Sequence, residues 1–77
     1  MLPLGSNKVD GVYWHVKVGA VIKLLESDGW VQVRIRGSHR QFKHPSKAGL
    51  VTVAGRPSVD VPPGTLNNIL KQAGLKG

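Results

Sequence analysis

Cysteine is missing altogether from this 77-residue chain, and aspartate and glutamate together number only four. The lack of cysteine excludes a disulfide framework and any thiolate metal site. No apolar run approaches the roughly 20 residues that a membrane-spanning helix needs. The opening stretch, MLPLGSNKVDGVYWHVK, has neither the basic start nor the continuous apolar centre of a secretory signal peptide. These absences lead to the expectation of a cytoplasmic protein with no membrane partner. Shortness excludes more. A chain of this size buries only about 60% of the surface its unfolded form exposes, so its core is thin. One domain is expected, with its function on an open face or groove and no cofactor.

The scarcity of acids leaves eleven lysines and arginines largely uncompensated, for a formal charge of +7. Such an excess favours polyanionic partners, nucleic acid above all, through counterion release. An acidic protein would satisfy the same field.

Apolar periodicity then orders the chain. In VGAVIKLLESDGW, Val18, Val21, Ile22 and Leu25 follow the spacing of an amphipathic helix, and Gly29 suits its left-handed end. WVQVRIR alternates strictly, which predicts a half-buried strand with Val31, Val33 and Ile35 inward and Gln32, Arg34 and Arg36 outward. Gly37-Ser38 turns the chain into a second, more polar strand, HRQFKH, whose one strong core residue is Phe42. Pro45 and Gly49 mark another turn before a third strand in LVTVA. Residues 55–64 read as loop because of Pro57, Pro62 and Pro63. TLNNILKQAGL closes the chain as a helix with Thr65 at its N-cap and Gly74 at its stop. The expected fold is α+β: two helices on one face of a three-stranded antiparallel sheet, in the order α-β-β-β-α. Residues 1–15 are set apart as an N-terminal extension, with Leu4-Gly5-Ser6 a candidate expression scar, and 16–77 form the domain.

The densest chemistry lies in VRIRGSHRQFKHP, where His39 follows a turn and stands between Arg36 and Arg40. Histidine suits proton transfer because its unperturbed pKa, about 6.5, lies near working pH. Arginine grips phosphate through two hydrogen bonds, lysine as a point charge. Arg34, Arg36, Arg40 and Lys43 are therefore the expected phosphate contacts, whereas Lys47 on its turn reads as solvated charge. Alternation puts Arg34 with Arg36, and sets Arg40 opposite Lys43. On the residues alone, an ordinary exposed histidine in a basic strand is the first reading of His39, and the acid–base role the second. His44, before Pro45, reads first as strand-end packing and second as an auxiliary acid or substrate contact. Trp30 reads as core beneath the first helix rather than a stacking platform. The three histidines show no metal-ligand spacing, so no metal site is expected, and His15 receives no role.

Taken together, Gly37-Ser38-His39, Phe42-Lys43-His44-Pro45 and the terminal PPGTLNNILKQAGL resemble the HicA (YcfA-like) toxins of bacterial toxin–antitoxin systems, over residues 16–75. The resemblance implies a fold like that of double-stranded-RNA-binding domains. It also implies a type II toxin that cleaves mRNA without a metal, held in check by a HicB-like antitoxin covering the active site. In that family the catalytic histidine follows the Gly-Ser pair, which assigns the acid–base role to His39. Ser38 then joins the arginines and Lys43 around phosphate. Relatives often carry a histidine after the third strand; this chain has Arg56 there, which with His44 is a candidate auxiliary residue. Single-stranded RNA is the expected substrate, since in-line attack needs a pliable strand. Two other readings use the same surface: an RNA-binding module that cuts nothing, and a regulatory protein that meets an acidic partner.

Overall fold

The computed structural model describes residues 8–9, 12–13 and 16–76. Leu4-Gly5-Ser6 and His15 lie outside the described residues. Near the start, Lys8–Val9 (β1) pairs antiparallel with Val12–Tyr13 (β2). The domain proper runs Val18–Ser27 (α1), Val31–Arg36 (β3), His39–Lys43 (β4), Val51–Val53 (β5) and Pro63–Gln72 (α2). β3, β4 and β5 form one antiparallel sheet in that order, and both helices lie on one side of it. The α+β expectation is met.

The core is where the amphipathic patterns meet. Val18, Val21 and Leu25 of α1 and Leu66, Ile69 and Leu70 of α2 close over Phe42, Val51 and Val53, with Val16, Trp30, Val61 and Ala73 completing the cluster. β5 alternates buried, exposed, buried, as a strand covered on one face must.

Both helices stop by the same device. Trp30 N–H donates to Leu25 C=O (3.0 Å) and Gly29 N–H to Glu26 C=O (3.0 Å). In α2, Leu75 N–H donates to Leu70 C=O (2.8 Å) and Gly74 N–H to Lys71 C=O (3.1 Å). Each is a Schellman motif, with glycine at the left-handed position: φ is 102° at Gly29 and 70° at Gly74. An apolar residue follows each glycine and packs back on the core. The start of α1 has no side-chain cap; the loop before α2 serves instead. Val18 N–H donates to Val59 C=O (2.9 Å) and Gly19 N–H to Pro57 C=O (3.0 Å). A Cβ on Gly19 would meet that Pro57 oxygen at 3.3 Å, so glycine is what admits the loop.

Two expectations are corrected here. α2 begins at Pro63, not after Thr65, because proline at the first helical position surrenders no hydrogen bond and is already set to helical φ. More consequentially, Val31, Val33 and Ile35 do not share a buried face: they are 59%, 54% and 52% exposed. β3 is an edge strand, and a β-bulge at Val33 breaks its alternation. Before the bulge Gln32 stands opposite buried Phe42 and Val31 opposite Lys43; after it Arg34 stands opposite Gln41 and Ile35 opposite Arg40. The extra residue swaps which side odd-numbered residues face.

Candidate active site

The swap assembles the basic face. In β4, buried Phe42 marks the helix side, so His39, Gln41 and Lys43 point to the other side. Directly opposite residues share a face, which puts Arg36 with His39, Arg34 with Gln41, and Thr52 of β5 with Gln41 on its other flank. Arg34, Arg36, Gly37, His39, Gln41 and Thr52 line one depression on this open side of the sheet. Arg36 and His39 flank a two-residue hairpin turn, which sets their Cβ atoms about 4.5–5.5 Å apart. Gly37, at φ 59°, occupies the first central position of that turn, where a positive φ is required. Lys43 lies on the same side but about 13 Å along the strand from His39 at the ordinary rise per residue.

His39 is exposed, and its ring has no hydrogen-bond partner among the described residues. The described acids stand elsewhere. Asp28 is held by Lys47 (2.6 Å) and Asp60 by Lys17 (2.6 Å), and Glu26 lies exposed on α1. Arg34, Arg36, Arg40, Lys43 and Arg56 make no ion pair with any described carboxylate. His39 therefore stands within a field of positive charge that no described carboxylate offsets, a setting suited to binding phosphate.

The other candidates separate from this face. Arg40 points to the helix side, where its Nη1 donates to Gly55 C=O (3.0 Å). Ser38 lies in the turn, and its carbonyl accepts from Gly55 N–H (3.2 Å). Both line a second depression with Gly37, Gly55, Arg56, Pro57 and Val59. His44 is held at the far end of β4. Its Nε2–H donates to Asp28 C=O (2.6 Å), while Nδ1 accepts from the backbone N–H groups of Ser46 (3.0 Å) and Lys47 (3.2 Å). Those partners put the ring proton on Nε2, and the ring stands edge-on to Trp30 with centroids 5.2 Å apart. Trp30 is core, as expected.

Lys47 is not the solvated charge expected of a turn residue. Its Nζ donates to Asp28 Oδ2 (2.6 Å) and to Ala73 C=O (3.0 Å), so one ammonium sits at the negative ends of both helices. Its hydrogen bond, and then its charge, hold the Asp28 carboxyl below its ordinary value of 3.8 against the opposing effect of partial burial. Composition could not show this, because the link depends on where two helix ends meet. Gln41 and Thr52 are lining residues that sequence reasoning did not single out. Gln41 was legible in principle, two residues beyond His39 on the same strand.

Fold and face together define a small basic α+β domain that presents a histidine among arginines on an uncovered sheet. The model of the family described as the HicA toxin of bacterial toxin–antitoxin systems matches residues 20–75, and the chain belongs to that family. It is also similar to a chain of a solved structure titled "Toxin-Antitoxin complex from Streptococcus pneumoniae", with 28% identity, a TM-score of 0.63, and coverage of 77% of this chain and 97% of that one. No curated protein sequence matches. Among the described residues no helix is long and apolar enough to cross a membrane.

Proposed function

We propose that this toxin is a metal-independent endoribonuclease that cleaves single-stranded mRNA, with His39 as its acid–base residue. The observation that carries the reading is the exposed His39 ring directly across the hairpin from Arg36, on the face shared with Arg34. His39 takes the proton of a ribose 2′-hydroxyl. The 2′-oxygen attacks the adjacent phosphorus, a P–O2′ bond forms, and the P–O5′ bond breaks as the departing oxygen gains a proton from solvent. The products are a 2′,3′-cyclic phosphate and a 5′-hydroxyl. Arg34 and Arg36 stabilise the charge that grows on the phosphoryl oxygens in the transition state. Lys43, farther along the face, contacts a neighbouring phosphate. His44, with both ring nitrogens engaged by backbone, shapes the fold and not the chemistry.

The partner is a HicB-like antitoxin that covers the open sheet face and the exposed edge of β3, where Val31 and Val33 are uncovered. Substrate and partner together place the protein in the cytoplasm. The reading is tested by incubating the protein with mixed-sequence RNA in EDTA, beside a folded His39→Ala variant. Cyclic-phosphate or 3′-phosphate ends from the parent alone are expected. Equal cleavage by both proteins would remove His39 from its role. Salt-sensitive retention with no cleavage by either would leave a binding module, and an antitoxin complex that cuts at the full rate would overturn the covering.

A further inference from the structure

The two depressions meet at Gly37, and the catalytic reading uses only one of them. The second is built from parts that pattern did not connect. Its floor is the β3–β4 turn and its wall the loop 55–59. That loop is held at four points: Gly55 N–H on Ser38 C=O, Gly55 C=O on Arg40 Nη1, Pro57 C=O under Gly19 N–H, and Val59 C=O under Val18 N–H. A wall tied to a turn, a strand and a helix end is formed before any ligand arrives, and so costs little to order on binding. Gly37 and Gly55 both take positive φ, 59° and 106°, a backbone conformation that favours glycine at the two edges of the depression.

Its charges point to the ligand. A guanidinium carries five N–H donors, and Arg40 is given one bond, to Gly55. Arg56, exposed, lines the same depression, and neither arginine pairs with a described carboxylate. Asp60, the acid closest in sequence, is bound by Lys17. Pro57 and Val59, the latter 47% exposed, add an apolar flank to this cationic corner. Paired guanidinium donors beside an apolar surface suit a nucleotide: the phosphate takes the donors, and the base or ribose takes the flank.

We infer that the Arg40–Arg56 depression is a second phosphate subsite, so that a polynucleotide strand crosses the Gly37 turn with one phosphate beside His39 and a further one beside Arg56. The subsite rests on the nuclease reading only for the direction of the strand. Arg56 binds the distal phosphate directly. Arg40 shares it and also fixes the wall through Gly55.

The test separates the two claims by using a ligand that cannot be cut. Affinities are measured at low and fixed salt for all-deoxy oligonucleotides carrying one, two and three phosphates, which lack the 2′-hydroxyl that cleavage requires. The full chain, Arg56→Gln and Lys71→Gln are compared; Lys71 is an exposed cation on α2, so the two variants lose the same charge at different places. In the parent, affinity is expected to rise about tenfold or more once the oligonucleotide reaches across the turn, as for a charge-assisted bidentate contact. Lys71→Gln keeps most of that rise and Arg56→Gln loses most of it. If Arg56→Gln instead tracks Lys71→Gln, the gain is general electrostatics and the subsite is wrong, whatever the RNA cleavage assay shows. If Arg56→Gln loses the gain while His39→Ala and parent RNA cleavage are equal, the subsite stands and the assignment of His39 falls.

Discussion

β4 carries a histidine at its first residue, His39, and another, His44, just past its last, and the surroundings of the two could hardly differ more. His39 follows a two-residue turn and meets no protein acceptor or donor among the described residues; around it are arginines that no described carboxylate pairs with. His44 has backbone bonds on both ring nitrogens, one of them from Lys47, whose ammonium links both helix ends, and Trp30 stands against its edge. One end of the strand spends its polar groups on holding the domain together, while the other leaves them unspent. A thin core needs the first arrangement, and binding an anion needs the second. A histidine in a basic strand is thus read by what its ring already does, not by its neighbours in sequence.

The contrast can be broken most decisively by removing each imidazole. His39→Ala is expected to reduce RNA cleavage by about 10²–10⁴-fold, the usual worth of general acid–base help, with an unchanged unfolding midpoint. His44→Ala should do the reverse. It leaves two N–H groups and a carbonyl without partners and opens a void beside Trp30, for a loss of about 2–4 kcal/mol in denaturant unfolding. Cleavage by that variant should follow its folded fraction. A His44→Ala protein as stable as the parent but inactive would place His44 in the chemistry and collapse the distinction.

The same comparison can be sharpened with one substitution made at both ends. Gly29 and Gly37 both take positive φ, but an added Cβ at Gly29 would lie 2.8 Å from Nε2 of His44, whereas at Gly37 it would meet nothing within 4 Å. Gly29→Ala therefore suffers backbone strain and also displaces a bonded ring, for an expected cost of about 2–4 kcal/mol. Gly37→Ala suffers strain alone, about 1–2 kcal/mol. Thermal or denaturant midpoints of the two variants give the difference directly, and equal losses would mean that the His44 corner yields more easily than its bonds imply.

The smallest effect is one of pH. Lys47 holds the Asp28 carboxyl below its ordinary value of 3.8, so the ionised form favours the folded chain. That contribution is complete above the unfolded value and is lost as pH falls through the lower, folded one. Lys47→Met should therefore be less stable than the parent at neutral pH, and the gap should narrow below pH 3.8, leaving the part owed to the Ala73 carbonyl. Urea midpoints at neutral pH and in acid measure it. A gap that does not change with pH would show that the carboxylate contributes nothing.

The chain by itself determined both helices, their glycine stops and the hairpin at Gly37, because each depends on neighbours within a few residues: apolar spacing, a left-handed site, a two-residue turn. It also determined that Arg34 and Arg36 lie together, since residues two apart in a regular stretch of strand share a side, and that His39 is the residue to test. Tertiary structure alone decided the rest. The bulge at Val33 puts Val31 on the open side and Gln32 on the helix side only when β3 is laid against β4; strict alternation pointed both of these the other way, while it placed Arg34, Ile35 and Arg36 on the sides they take. Lys47 became a clamp only because two helix ends arrive at one place, and Pro63 could open a helix because the fold asks no hydrogen bond of its nitrogen. Periodicity reports which side of its own element a residue occupies. What stands opposite that side is a long-range fact, and in this domain it separates the histidine that is held from the one that is left free.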